Sequence, residues 1–376
     1  MREGTEPPEA APPAPDPPSS GEPVAPLEPV TGSPEPPKPA SDGGSIARSI
    51  ALGVVAFAAT IVLLAGLSGL LTRSQGGAAE ASATALPSVA SGSVAPSSPP
   101  SSSVGAVSSG ASTDAVLVGA GDIADCSLDK GAATATLLEG IVGTVFTAGD
   151  NAYPDGTAQQ FSDCYDPTWG RQKARTRPAA GNHDWGTKDL AGYLGYFGAA
   201  AAPDGKSWYS YDLGAWHVVV LDSDCKEVKG CAPDSDQGKW LAADLAATKA
   251  KCTLAIWHHP RFSSGEHGDD ADVGPFWKAL YDAGADVVVN GHDHDYERFA
   301  PQDPAGRADD ARGIREFVAG TGGAELRTFP TIRPNSIVRA SVAHGVIRFT
   351  LHKSSYDWRF ISTTGEFSDS GSGACH

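Results

Sequence analysis

Five short stretches of this 376-residue chain hold the side chains best equipped for chemistry. They are GDIA at 121–124, GDNAY at 149–153, GNHD at 181–184, AIWHH at 255–259 and GHDH at 291–294. Carboxylate, carboxamide, phenol and imidazole recur in them, and all of these groups offer lone pairs to a metal ion. Oxygens of Asp, Asn and Tyr with nitrogens of His form a hard-to-borderline donor set, suited to Fe, Mn or Zn rather than to soft ions. Each stretch alone has a plainer reading. G-D and G-N are common turn dipeptides, and one H-x-H is weak evidence of a site. Glycine before the Asp or Asn lets the chain turn sharply and brings backbone close to an ion. Five such stretches, all at the ends of predicted strands, are poorly explained as turns alone.

The elements that must position them are short apolar runs alternating with helix-like segments. AVLVGA (115–120), TVFTA (144–148), WHVVVLD (216–222), CTLAIWH (252–258) and DVVVN (286–290) read as buried strands. Helices are predicted over 129–142, 235–250 and 272–283, the second opening on Ser235 and Asp236, both good N-cap residues. This alternation predicts an α/β fold with substantially parallel pairing. In such folds ligands collect at the carboxyl ends of strands, which is where four of the five runs place their polar groups.

Taken in order, GDIA, GDNAY, GNHD, AIWH and GHDH resemble the five-motif signature of the calcineurin-like metallophosphoesterases. Within that superfamily they are most similar to the purple acid phosphatase branch, over essentially all of 114–376. Many members have a histidine two residues after the first aspartate; here Ala124 stands there, and Tyr153 follows the second aspartate instead. The resemblance implies a four-layer α/β/β/α sandwich of two mixed sheets, with a dinuclear metal site at the strand C-terminal ends. It implies one ion held by Asp122, Asp150, Tyr153 and His294, and a second held by Asp150, Asn182, His258 and His292, with Asp150 bridging. A phenolate donor favours Fe(III) at the first position, leaving divalent Fe, Zn or Mn for the second. A bridging carboxylate would hold the ions ~3.5–4 Å apart, the spacing of two-metal phosphoester hydrolysis.

The implied activity is hydrolysis of phosphomonoesters by in-line attack of a metal-bound hydroxide. Phosphodiesterase or nucleotidase activity on the same centre is the alternative within the enzyme class, and a non-catalytic envelope binding protein of this fold is the alternative outside it. His183 matches the family position that hydrogen-bonds phosphoryl oxygens, with Asp184 placed to orient it. His267 falls near a second active-site histidine of the branch, where it contacts phosphate or protonates the leaving alkoxide; its plain reading is a solvated loop histidine. Arg261 is either a phosphate contact or a surface cation. His259 reads as a supporting residue beside a ligand. His217, His344, His352 and His376 match no family motif.

The rest of the chain bounds the compartment. Residues 1–49 are crowded with Pro, Ala and Glu, a composition expected of a disordered tail. Residues 50–71 carry no charge, and about 22 residues of helix span ~33 Å, enough for a bilayer core. A transmembrane anchor is therefore expected over 50–72, followed by an Ala/Ser/Pro linker over 73–113. The acidic stretch before the apolar run is too long for a signal peptide, so an uncleaved anchor is preferred over secretion after cleavage. Lys38, Arg48 and Arg73 flank the run too evenly to orient it. All six cysteines follow it, which suits an oxidising exterior and a single-pass protein with an extracytoplasmic domain.

Cys225 and Cys231 could close a short polar loop, and a Cys126–Cys164 bridge would brace the first two motifs. Cys252 and Cys375 then remain by elimination, although six cysteines allow 15 connectivities. The formal net charge of −17 and the lack of a basic cluster give no sign of a nucleic-acid-binding surface.

Overall fold

A computed structural model describes residues 114–376. The expected tail at 1–49, anchor at 50–72 and linker at 73–113 lie outside the described residues. Among the described residues no helix is long and apolar enough to cross a membrane.

The first half of the described chain runs through β1 (Ala115–Ala120), β2 (Ala124–Asp125), α1 (Lys130–Glu139), β3 (Thr144–Ala148), β4 (Ala152–Tyr153), α2 (Ala158–Gln160), β5 (Thr176–Ala179) and α3 (Ala191–Phe197). It continues through β6 (Tyr209–Leu213), β7 (Trp216–Val220), α4 (Asp236–Ala247), β8 (Cys252–Ile256), α5 (Gly274–Asp282) and β9 (Val287–Asn290). The remainder is all strand: β10 (Tyr296–Phe299), β11 (Arg315–Ala319), β12 (Ser336–Ala340), β13 (Gly345–Leu351), β14 (Ser355–Ser362) and β15 (Ser370–Ala374).

These strands form two large mixed sheets, ordered β15-β14-β13-β1-β3-β5 and β12-β10-β11-β9-β8-β7-β6, while β2 pairs with β4 alone. Pairing is parallel from β1 to β5 and from β7 through β8 and β9 to β11. The five apolar runs read from the sequence are the parallel strands β1, β3, β7, β8 and β9. Their near-continuous hydrophobicity follows from burial on both faces.

Three apolar clusters show the layering. One joins the two sheets face to face, with Leu117, Phe146 and Phe349 of the first meeting Trp216, Leu254 and Phe317 of the second. Another packs α1 and α3 on the outer face of the first sheet, through Ala135, Leu138, Tyr193 and Phe197 against Val118 and Val145. The third packs α4 and α5 on the second sheet, through Leu241, Phe276 and Trp277 against Val219, Ala255 and Val288. The result is the expected helix–sheet–sheet–helix sandwich. Ser235 caps α4 by accepting from the Gly238 amide at 3.0 Å, as its residue type predicted.

All three disulfides form in the expected pairing: Cys126–Cys164, Cys225–Cys231 and Cys252–Cys375. The last ties the chain end to β8 across a sequence separation of 123 residues. In the chain-entropy account a closure of this size contributes about 4–5 kcal/mol.

His217 is structural. Its two ring nitrogens meet Asp244 of α4 at 2.8 Å and Asp212 of β6 at 3.0 Å, so it fastens a helix to the sheet edge. The hydrogen bond to Asp244 raises its pKa, burial opposes, and Asp212 adds to the rise. A raised histidine pKa stabilises the fold fully below the unfolded value of about 6.5, and that contribution fades as pH climbs through the folded pKa. His217 is therefore expected to titrate above 6.5 by NMR, and His217→Phe to flatten the fall of stability above that pH. A midpoint at or below 6.5 would contradict this.

Candidate metal centre

Every candidate ligand but Tyr153 sits just beyond the carboxyl end of a parallel strand, and the two sheets contribute jointly. Asp122, Asp150 and Asn182 follow β1, β3 and β5 of the first sheet; His258, His292 and His294 follow β8 and β9 of the second. The site lies on the seam between the sheets. Tyr153 enters from β4, hydrogen-bonded backbone to backbone beside the first motif.

The turns that deliver these ligands are strained. Asp122, Asp150 and His292 take positive φ values of 59°, 50° and 70°, a region uncommon for residues with a side chain and typical of over-determined functional sites. The preceding glycines supply room as well as freedom. A Cβ on Gly149 would lie 2.5 Å from His258 Nδ1, and one on Gly291 would lie 2.5 Å from Asp122 Oδ2. The sharp turn is thus made partly by the ligand residues themselves, while Gly291 keeps space for a carboxylate.

Two groups of donor atoms converge. In the first, Tyr153 Oη lies 2.8 Å from Asp122 Oδ1, 3.0 Å from Asp150 Oδ2 and 3.3 Å from His294 Nε2, and His294 Nε2 lies 3.4 Å from Asp122 Oδ1. In the second, His258 Nε2 lies 3.2 Å from Asp150 Oδ2, 3.1 Å from Asn182 Oδ1 and 3.2 Å from His292 Nδ1. Asp150 Oδ2 belongs to both. Donors bonded to one ion at ~2.1 Å stand about 3 Å apart along an octahedral edge, which matches these separations.

The tautomers also fit a cation. His258 Nδ1 donates to the Ala148 carbonyl at 2.8 Å, and His294 Nδ1 donates to the Glu325 carbonyl at 2.8 Å. Each ring therefore turns Nε2 inward, toward carboxylate and amide oxygens that carry lone pairs, where it must either hold a proton or share its own lone pair with an ion. Such an arrangement is repulsive unless a positive charge sits at its centre, and backbone carbonyls commonly fix metal-ligating histidines in this way. Burial alone would lower the His258 pKa, yet Asp150 and Asp122 carry it up to about 10, so the pocket draws in positive charge. Despite complete burial, Asp150 is held far below the usual carboxylate range by His258 and His183. Burial, with the Asp122 and Asp150 carboxylates, pushes the Tyr153 phenol well above its ordinary value. A phenolate here needs a strongly acidic ion.

His183 and His267 both flank the centre. The His183 amide donates to Asp150 Oδ1 at 2.8 Å, its Nδ1 meets the Pro154 carbonyl at 2.5 Å, and its ring lies 4.4 Å from that of Tyr153. His267 is an exposed loop residue, but its ring stacks on that of His292 at 4.2 Å, which places it at the rim of the centre. Asp184 does not orient His183. Its buried carboxylate instead accepts from Gly181 N at 3.0 Å and from the Asn151 side chain at 2.9 Å, tying the second motif to the third. The Pro154 carbonyl does the orienting. His259 is a supporting residue, its Nδ1 2.8 Å from Ser223 Oγ and its ring 4.3 Å from His292. Arg261 packs its guanidinium 4.5 Å from the Phe262 ring.

Sequence reading missed what holds the 261–268 loop. Three fully buried acids grip its backbone amides. Asp293 accepts from His267 N at 2.8 Å and Gly268 N at 3.2 Å, Glu297 from Ser264 N at 2.7 Å, and Glu316 from Arg261 N at 3.0 Å. Asp293 faces away from the ion positions, as expected of the residue between two ligands, and here anchors the loop bearing His267. Alternate acids at 293, 295 and 297 after an apolar strand were the available signal.

Comparison with known proteins gives the same answer as the geometry. The Calcineurin-like phosphoesterase profile matches residues 107–296, half of the chain. The chain belongs to the calcineurin-like phosphoesterase family. Its similarity runs to the purple acid phosphatase branch: it is 30% identical to "Purple acid phosphatase 21" of Arabidopsis thaliana over 237 residues, covering 55% of this chain and 53% of that protein. It is 29% identical to "Acid phosphatase A" of Cryphonectria parasitica, over 34% of this chain and 30% of that protein. The chain thus spans about half or less of the curated relatives it matches. Among solved structures, the purple acid phosphatase PPD1 of yellow lupin superposes with a TM-score of 0.54 at 20% identity, covering 69% of this chain and 53% of that one. The Plasmodium inner-membrane-complex anchor GAP50 superposes at 0.56 with 14% identity, over 70% and 90%. These two share the fold.

The loop-gripping carboxylates of this phosphoesterase domain can be checked without assaying turnover. A charge-assisted hydrogen bond contributes about 1.5–3 kcal/mol, so Asp293→Ala should speed amide exchange at His267 and Gly268 by about tenfold or more while metal content stays unchanged. Unaltered exchange at both amides would remove Asp293 from this role.

Proposed function

We propose that this protein hydrolyses phosphomonoesters at a dinuclear metal centre, in the manner of an acid phosphatase. The observation that carries the reading is the convergence of two donor sets on one oxygen of Asp150. Asp122, Asp150, Tyr153 and His294 would hold one ion; Asp150, Asn182, His258 and His292 would hold the other. The phenol favours Fe(III) at the first position, with Fe, Zn or Mn at the second. When bound, such a pair supplies an activated water and neutralises the charge that develops on phosphorus.

The chain's own groups do the rest. His183 Nδ1 is committed to the Pro154 carbonyl, so the opposite nitrogen, Nε2, is the one presented to a phosphoryl oxygen, and it donates when the ring is protonated. His267 Nε2 accepts from Arg327, which keeps the ring proton on Nδ1. The ring can protonate a leaving alkoxide only as the imidazolium, with a proton on each nitrogen, and that form is open to it once Arg327 no longer donates to Nε2. Asp184, Asp293, Glu297 and Glu316 keep both histidine-bearing loops in place.

The three disulfides support an oxidising compartment. With the uncharged run at 50–71, they support a domain held outside the cytoplasm by one N-terminal membrane helix, the Ala/Ser/Pro segment acting as its tether.

The test is phosphate release by the purified, metal-loaded chain. The wild type should hydrolyse an aryl phosphomonoester, and His292→Ala, which strips a donor from the second set, should lower kcat by about a hundredfold or more. Wild-type protein inert toward both an aryl monoester and an aryl diester would overturn the reading, as would full activity in His292→Ala.

A further inference from the structure

The segment between β11 and β12 straps over the centre, and it carries two arginines in different circumstances. Arg333 is paired: its Nε lies 3.1 Å from Asp269 and 3.1 Å from the Ser263 carbonyl, and its amide donates to Ser264 Oγ at 2.9 Å. It pins the strap to the loop that carries His267. Arg327 has no carboxylate partner among the described residues. Its backbone amide donates to the carbonyl of His294 at 2.9 Å, and two residues earlier the Glu325 carbonyl fixes the His294 ring. Its guanidinium reaches across to His267 Nε2, and the His267 ring lies on that of His292. The side chain therefore stands on the rim, between a ligand of the first donor set and a neighbour of the second, and it is only partly exposed.

An unpaired guanidinium is unexpected here on charge grounds. The chain carries a formal −17, yet the nearby carboxylates Asp122, Asp150 and Asp293 are all occupied elsewhere, by the converging donors or by loop amides. A neutral imidazole acceptor is a weak partner for a guanidinium, whose planar fork matches two oxygens of one phosphoryl group.

We propose that Arg327 binds the phosphoryl oxygens of the substrate and biases the site toward dianionic phosphomonoesters over monoanionic diesters. The proposal rests on the phosphoesterase reading of the same centre. A third fixed positive charge beside two ions strengthens attraction for each added negative charge on the ligand, so its removal costs a dianion more than a monoanion. Arg327 is then exchanged from His267 to the ligand on binding, which also frees His267 Nε2.

Calorimetric titration of inorganic phosphate into the metal-loaded full chain tests this without turnover. Arg327→Met should weaken phosphate binding by about tenfold to a hundredfold, the span of a lost charge-assisted contact. Arg327→Lys keeps the charge without the fork and should fall between. In parallel, kcat/KM for an aryl monoester should drop at least several-fold more than for an aryl diester. Equal metal content and melting temperature in the variants establish that they fold; if the Met variant does not, the Lys variant carries the comparison. Unchanged phosphate affinity overturns the proposal. Equal losses on monoester and diester with phosphate affinity intact overturn it too, since they make Arg327 a prop for His267. A wild type that binds phosphate but hydrolyses neither ester would sink the phosphoesterase reading while leaving Arg327 to be judged by the titration.

Discussion

One carboxylate oxygen organises this molecule. Asp150 Oδ2 stands within 3.0 Å of the Tyr153 hydroxyl and 3.2 Å of His258 Nε2, and so belongs to both converging donor sets. It is buried, at a positive φ, behind a glycine whose missing Cβ leaves space for an imidazole. A buried anion facing other lone pairs is costly unless a cation joins them. The requirement for positive charge at this point explains the tautomers fixed by Ala148 and Glu325, and it explains why three ligand residues keep strained backbones.

The sandwich is the means of meeting that requirement. Parallel strands of two sheets end at a common seam, so donors far apart in sequence arrive from both sides. Neither sheet alone supplies a full set: Asp122, Asp150 and Asn182 come from one, and His258, His292 and His294 from the other. The apolar interface between the sheets therefore sets the distance between the donors. Beyond the donors lies a second tier of buried acids, Asp184, Asp293, Glu297 and Glu316, which face backbone amides and hold the turns and loops.

Much of this was legible in the sequence because six of the seven ligands lie in short motifs at the end of an apolar run; Asn182 follows β5, whose TRPA does not read as one. Doubly buried parallel strands announce themselves by continuous hydrophobicity, and all five runs proved to be strands. Strands β10 to β15, antiparallel except where β11 runs parallel to β9, escaped that reading. Ser355–Ser362 alternates buried and exposed residues instead of running apolar, and Ser370–Ala374 has no large apolar side chain at all. The supporting contacts were hidden for a different reason. His183 and His294 are oriented by backbone carbonyls of Pro154 and Glu325, which any residue type can provide. Asp184 looked like a partner for its neighbour His183, yet the turn aims its carboxylate at Asn151 and Gly181 instead. Arg327 meets His267 only because two loops cross, across 60 positions of sequence.

The central claim is that seven side chains hold two ions through a shared Asp150 oxygen. Metal analysis of the purified chain and of Asp150→Ala, Tyr153→Phe and Asn182→Ala tests it most directly. The account predicts two ions per wild-type chain and loss of both in the Asp150 variant. It predicts a visible tyrosinate-to-iron absorption that disappears in Tyr153→Phe and survives in Asn182→Ala. A wild type that binds one ion or none, or an Asp150→Ala protein that still holds two, would contradict it.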